Sequence, residues 1–337
     1  MPSTGYTQMV CLAHRLSSYA DVRIRRLPVS PTAAKMVLFW DDGSHAHLLS
    51  LQLPDEMRNI RLTLAYDGTE YCGWQTQPQA PTVQASVEGA IQEVTRGAAA
   101  LIAAGRTDSG VHAVGQVAHF HTESGIPIDR IKPALQSCLP RDIVVLEATL
   151  APDSFHARYS ALRKRYRYVI DNSATPLPFL NRYACYIRGP LDAEAMHEAA
   201  QALVGTHDFR CFESHWPNRA SSVRTIFELT VQRQPGWPAW FQPHALGPTQ
   251  SAAGDIICLD VVADGFLYNM VRSIAGTLLD VGRHKCSAVE VAGILAAQSR
   301  ADAGVTAPAR GLYLMQVEYG ADGSARTSAT EEESPAD

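Results

Sequence analysis

Strict two-residue alternation appears at two well separated places in this chain, and it constrains the fold more than any other feature. Ile60, Leu62, Leu64 and Tyr66 alternate with Arg61, Thr63 and Ala65, and Tyr166, Tyr168 and Ile170 alternate in the same way with Arg165, Arg167 and Val169. A period of two buries one face of a strand and cannot line one face of a helix. Helical patterns follow each strand. Thr82 is placed to cap a helix whose Val83, Val87, Ala90, Ile91 and Val94 share a face, with Gly97 as its stop. Short apolar strands are then expected at Leu101 to Ala104, Val114 to Phe120 and Ile143 to Leu146.

The second set repeats this vocabulary. Asp192 opens a helix through Met196, Ala199, Ala200 and Leu203 that ends at Gly205. Strands are expected at Ile226 to Val231, Ile256 to Val262 and Leu312 to Tyr319. Helices are expected at Leu267 to Val281 and at Ser287 to Gln298, the latter opened by a Ser287-x-x-Glu290 capping box. No Gly-rich phosphate loop accompanies these elements, so the reading is α+β twice over. A length of 337 residues suits two such units.

Residues 1–58 show mixed polarity and no sustained period, and they read as a dispensable or disordered extension. The competing reading is an added hairpin of Met36 to Trp40 with Leu48 to Leu53, packed on the core. The stretch 233–254, rich in Pro, Gly and Trp, reads as a surface insertion. Residues 321–337 hold five acids against Arg326 and read as a disordered acidic tail. Between these ends the body of the chain divides into residues 59–157 and 158–320.

Seven cysteines, widely spaced and without a C-x-x-C pair, disfavour a disulfide framework or a zinc ribbon and fit a reducing, cytoplasmic setting. No apolar run approaches the ~18 residues of a membrane span. A formal charge of −5 argues against a nucleic-acid partner until its distribution is considered. The acidic tail accounts for most of it. From Arg158 to Arg188 the chain carries Arg158, Arg163, Lys164, Arg165, Arg167, Arg182 and Arg188 against the single acid Asp171, which makes a local basic patch.

The run most informative about chemistry is Ala104-Gly105-Arg106-Thr107-Asp108-Ser109-Gly110-Val111-His112-Ala113, where two glycines let a loop between strands turn sharply and present a carboxylate. Upstream stands Tyr66-Asp67-Gly68-Thr69-x-Tyr71-x-Gly73-Trp74-Gln75. Downstream come Gly115-Gln116-Val117 with His119-Phe120, Phe155-His156-Ala157-Arg158, Arg165-Tyr166-Arg167-Tyr168, Phe266-Leu267-Tyr268-Asn269-Met270-Val271-Arg272 and Gly311-Leu312-Tyr313-Leu314. In this order and spacing, across roughly Ile60 to Gly320, the chain resembles the tRNA pseudouridine(38–40) synthase family.

That resemblance implies a homodimeric, cofactor-free isomerase that converts uridine to pseudouridine at positions 38, 39 and 40 of the tRNA anticodon stem-loop. It also implies two related ferredoxin-like (RRM-like) halves, with antiparallel sheets, helices on one face and the catalytic cleft between the sheets. Asp108 matches the catalytic aspartate, Tyr166 the tyrosine against the target base, Arg272 the arginine paired with the aspartate, and Arg106 the arginine before it. The basic run adds Arg163, Lys164, Arg165 and Arg167 as candidate tRNA-binding residues, Arg165 and Arg167 flanking Tyr166 on a strand that meets phosphate.

The chemistry agrees with those roles. Moving uracil from N1 to C5 breaks a glycosidic bond and makes a C–C bond without redox, so one carboxylate suffices. Asp108 is placed to attack C1′, to attack C6 or to remove a proton, and the sequence does not choose among these routes. A target in a stacked stem must be flipped out, and an aromatic face such as Tyr166 offsets part of that cost. His119 and His121 share a strand face, but no third or fourth ligand accompanies them, so no metal site is expected. The zinc-deaminase alternative lacks its Pro-Cys-x-x-Cys. Arg219 and Arg224 read equally as RNA contacts or as a solvated loop. Gln136 stands where the family often has Asn. The alternatives are a related synthase with another tRNA target set and a noncatalytic RNA-binding protein using the same cleft.

Overall fold

The computed structural model describes residues 36–40, 46–50, 57–98, 100–214, 221–234 and 256–320. Residues 1–57 and 58–337 form separate units. In the first, β1 (Met36–Trp40) pairs antiparallel with β2 (Ala46–Ser50), a hairpin whose second strand starts two residues before the expected Leu48, with Leu48 and Leu49 opposite Leu38 and Val37; residues 51–53 lie outside the described residues. Arg219, all but the first two residues of the 233–254 insertion, and the 321–337 tail lie outside the described residues.

The second unit is built on one ten-stranded sheet. Its strands are β3 (Arg58–Tyr66), β4 (Ile102–Ala103), β5 (His112–Thr122), β6 (Ile143–Ala151), β7 (Ala161–Asp171), β8 (Cys185–Tyr186), β9 (Gly205–Asp208), β10 (Val223–Gln234), β11 (Ile256–Ala263) and β12 (Leu312–Tyr319). The order across the sheet is β6-β3-β5-β12-β7-β11-β10-β9, with β4 on β5 and β8 on β7. Two separate antiparallel sheets are therefore not what forms. β12 joins the two sets of strands, pairing in parallel with β5 at Tyr313 and Leu314 and antiparallel with β7 along its length. A second parallel pair is β7 with β8.

The alternation that pointed to strands also selects the buried face. Ile60, Leu62 and Leu64 on β3, Ala118 and Phe120 on β5, Leu314 on β12, and Tyr168 and Ile170 on β7 are fully buried. Removing such side chains from water stabilises by about 1.5–3 kcal/mol each before chain entropy is charged against it. Five helices supply the covering layer: α1 (Val83–Thr95), α2 (Ile128–Cys138), α3 (Ala193–Ala200), α4 (Met270–Gly282) and α5 (Ala288–Ala297). α2 packs on β6, α3 on β10 and α4 on β7. On the reverse face Leu180 and Ala184 close over Ile256 and Cys258 in a small second cluster.

Local signals explain most helix ends. The Thr82 hydroxyl accepts from the Ala85 amide, and Ser287 and Glu290 form the reciprocal capping box of α5. The stop of α1 is displaced by one residue: Arg96, not Gly97, takes the left-handed conformation, at φ 60°. Helix α2 is absent from the sequence reading because Pro133 lies inside it and reads as a breaker. Its buried Ile131 and Leu135 hold it to the sheet, and the Gln136 side chain ties it down by donating to the Ile143 carbonyl (3.0 Å) and accepting from the Val145 amide (2.9 Å). The longer amide thus anchors a helix to the edge strand.

Candidate active site

Asp108 lies in the connection from β4 to β5, and nearly every residue around it is tied to the sheet or to the β3–α1 loop. The Gln116 side chain donates to the Gly105 carbonyl (2.8 Å), and the hydroxyls of Tyr66 and Thr107 share a hydrogen bond of 2.8 Å. The Trp74 amide donates to the Thr107 carbonyl (3.0 Å), and the Gly110 amide and Ser109 hydroxyl donate to the Tyr71 carbonyl (3.3 and 3.2 Å). Gly73 makes this approach possible. It adopts φ +93°, and a β-carbon there would stand 2.8 Å from the Thr107 carbonyl oxygen. Gly115 serves the neighbouring strand, since a β-carbon there would meet the Met315 carbonyl oxygen at 2.4 Å where β12 crosses beside β5. The carboxylate is thus presented by a backbone already fixed in place.

Arg272, in the first turn of α4, reaches that carboxylate from the other set of elements. Its Nη1 lies 3.3 Å from Oδ2 of Asp108, with 18% and 23% of the two side chains exposed. Nε donates to the Ala307 carbonyl (2.8 Å), and Nη1 also donates to Oδ1 of Asn269 (2.7 Å). Burial raises the pKa of Asp108, and the charge and hydrogen bond of Arg272 oppose that rise without cancelling it. The result is a partly desolvated carboxylate with one cation to hold it ionised.

Tyr166, on β7, is 7% exposed and meets the Phe266 ring edge-on at 5.0 Å. Burial first, then the neighbouring Tyr66 and Asp108, push its phenol far up, so the hydroxyl stays protonated. Tyr66, beneath the loop, is pushed up to about 12, mainly by burial. Aspartate, arginine and tyrosine therefore come together over the middle of the sheet, on its helix-covered face, where β12 separates β5 from β7. The expected cleft between two sheets is replaced by a site over this junction.

The basic run is divided by the strand that carries it. Side chains alternate along β7, so Lys164 shares the Tyr166 face, and a methyl group on Gly105 would stand 3.3 Å from its Nζ. Arg163, Arg165 and Arg167 occupy the reverse face. There Arg165 pairs with Glu228 (3.0 Å), Arg167 holds Asp260 through two bonds of 2.9 Å, and Arg163 lies over the Phe227 ring at 4.4 Å. Arg106 is exposed on the Asp108 loop. Arg224 lies in β10 and donates to the Ser221 and Val223 carbonyls.

His119 is buried, with the His156 and His121 rings at 4.9 and 5.6 Å. No group of three or more metal-ligating side chains is poised for an ion among the described residues. The residues that the sequence reading passed over are those that aim the site: Tyr66, Thr107 and Gln116 under the loop, Gly73 and Trp74 beside it, and Asn269 on Arg272. All but Thr107 stood in quoted motifs outside the Asp108 run, where residue type alone does not show what each one touches.

Known proteins resemble this chain over most of its length. The family described as tRNA pseudouridine synthase matches residues 63–160 and 199–320, and the chain belongs to that family. Relatives named tRNA pseudouridine synthase A include one from Thermoanaerobacter sp. (strain X514), 44% identical over 263 residues, covering 78% of this chain and 100% of the relative. The corresponding protein of Moorella thermoacetica is 47% identical over 262 residues (77% and 99%), and that of Halalkalibacterium halodurans 46% over 257 residues (76% and 90%).

Proposed function

We propose that this chain isomerises uridine to pseudouridine at positions 38, 39 and 40 of the tRNA anticodon stem-loop, with Asp108 as the reacting carboxylate. The observation that carries the residue assignment is the partly buried carboxylate 3.3 Å from Arg272 on a loop fixed by its neighbours. The target nucleotide flips out of its stem against Tyr166, whose ring offsets part of the unstacking cost, about a few kcal/mol. The N1–C1′ bond breaks, the base turns, and C5 bonds to C1′; the hydrogen on C5 is lost and N1 gains one. Attack on C1′, attack on C6 and proton removal all require Asp108 ionised, and Arg272 keeps it so.

Of the candidate tRNA-binding residues, Lys164 and Arg106 are the ones on the Asp108 side. Arg163, Arg165 and Arg167 act on tRNA only if it also reaches the reverse face. Two related ferredoxin-like halves, residues 59–157 and 158–320, are supported by a repeated β-α-β-β-α-β order. The strands of each lie fourth-first-third-second across the sheet, as β6-β3-β5-β4 and as β12-β7-β11-β10. The enzyme works as a cytoplasmic homodimer without a cofactor, residues 1–57 and 321–337 being dispensable, since Arg58 already pairs with Thr122 at the start of β3. Among the described residues no helix is long and apolar enough to cross a membrane.

The test is release of the C5 hydrogen from uridine-labelled tRNA, since the product has the substrate's mass. Asp108→Asn should fold and bind tRNA yet release none, because an amide is neither a competent nucleophile nor a base here. Release close to wild type would overturn the assignment of Asp108.

A further inference from the structure

We propose that Asn269 is a positioning residue for the reaction, its side-chain carbonyl holding the Arg272 guanidinium in the orientation that faces Asp108. The proposal rests on the roles given above to Asp108 and Arg272. Asn269 stands at the N-cap of α4, where an Asn side chain ordinarily accepts an amide of the first helical turn. It makes no such bond. Its backbone is left-handed instead, at φ 60° and ψ 6°, a conformation that costs energy in any residue but glycine and is retained where the surroundings demand it.

The demand is visible three residues on. Oδ1 of Asn269 accepts from Nη1 of Arg272 at 2.7 Å, the shortest of that side chain's hydrogen bonds. Nη1 carries two hydrogens, one directed to Asn269 and the other to Asp108. The Ala307 carbonyl takes Nε, and the Ala307 amide donates back to the Arg272 carbonyl (3.0 Å), so Ala307 is itself fixed to the helix. With both tethers the guanidinium cannot turn about its own bonds. With Ala307 alone it can swing around Nε, and the 3.3 Å approach to Asp108 is no longer enforced.

The ionisable groups around this pair include Tyr66, Tyr166 and Tyr168, all held protonated by burial, with Lys164 beside Gly105, Arg106 two residues before Asp108 on its loop and Arg310 near Tyr168. None of the three phenols offers Asp108 a positive charge. Losing the alignment of Arg272 therefore leaves burial less opposed, and the carboxylate takes up its proton at a higher pH.

Two variants separate this role from a structural one. Asn269→Gly removes the amide at a position glycine occupies without strain, so the fold should persist, with a melting temperature close to that of wild type. Asn269→Asp keeps an acceptor and tolerates the left-handed backbone. Single-turnover C5-hydrogen release is measured against pH at saturating enzyme, with tRNA binding measured separately. Asn269→Gly should lower the bound-state rate at least about fivefold near neutral pH and move the acid limb of the profile upward, with affinity changed less than about twofold. Asn269→Asp should recover part of the rate. An Asn269→Gly protein with the wild-type rate and limb, or one that loses only affinity or stability, overturns the proposal. Asp108→Asn is run in parallel, because persistent turnover there would defeat the site assignment itself.

Discussion

Acid should destabilise this protein through one buried imidazole. His119 is 1% exposed; its Nδ1 accepts from the Ala157 amide at 3.1 Å. A proton on Nδ1 would place N–H against N–H. Burial first, and then the nearby His156 and His121, lower its pKa from the ordinary 6.5 to about 4. Because the folded value lies below the unfolded one, the folded state holds fewer protons in that window. Stability is complete above the unfolded value and is lost as pH falls toward the folded one. From those two values the loss is about 2 kcal/mol at pH 5 and about 3 kcal/mol below pH 4. Against a typical total of about 5–15 kcal/mol, that is a large fraction. His119→Asn retains an acceptor for the Ala157 amide and does not titrate. Urea denaturation of both proteins without tRNA, at pH 7.5, 6 and 5, should show the variant gaining on wild type by about 2 kcal/mol across the series. His112, also lowered by burial, remains in both proteins and cancels in the comparison. Parallel stability curves would refute the reasoning.

The attraction between Arg272 and Asp108 at 3.3 Å comes to roughly 5 kcal/mol at an effective dielectric of about 20, a ceiling because water reaches both groups. Arg272→Gln should therefore slow bound-state turnover at least about tenfold on the acid side and move the acid limb to higher pH, with Arg272→Lys milder. Single-turnover pH profiles check this, and an equal loss of affinity with an untouched bound-state rate would make Arg272 a phosphate clamp. Lys164→Ala should weaken tRNA binding and reduce its salt dependence by about one ion. Arg167→Ala should instead cost about 1–2 kcal/mol of stability by stranding Asp260, and binding titrations at several salt concentrations beside denaturation curves would expose the reverse pattern.

The sequence carried those features that depend on near neighbours. β3 and β7 follow from alternation, α1 from Thr82 and α5 from its capping box, all of which are local. Helix α2 was hidden because tertiary packing of Ile131 and Leu135 overrides the Pro133 signal. The placement of β12 beside β5 has no local signature at all, since the paired residues stand far apart in the chain. The division of the basic run was legible in principle. The alternation that buries Tyr166 turns Arg165 and Arg167 to the other face, and treating them as flanking residues overlooked it. The approach of Arg272 to Asp108 was available only through family resemblance, because no pattern in one sequence marks two residues that meet across a sheet.

The position of β12 bears on how the protein is made. Ala113, which follows the Asp108 loop, and Tyr166 are both registered on Leu314. During translation the chain emerges with its N-terminal strands first, and residues 312–319 come out after every other described strand. A nascent chain held up before that point already contains Asp108, Tyr166 and Arg272, yet nothing spans the gap between β5 and β7. It presents two unpaired inner edges, the kind of surface that captures other chains. Pairing of β12 is thus the step that joins the strand leading from the Asp108 loop to the strand that carries Tyr166.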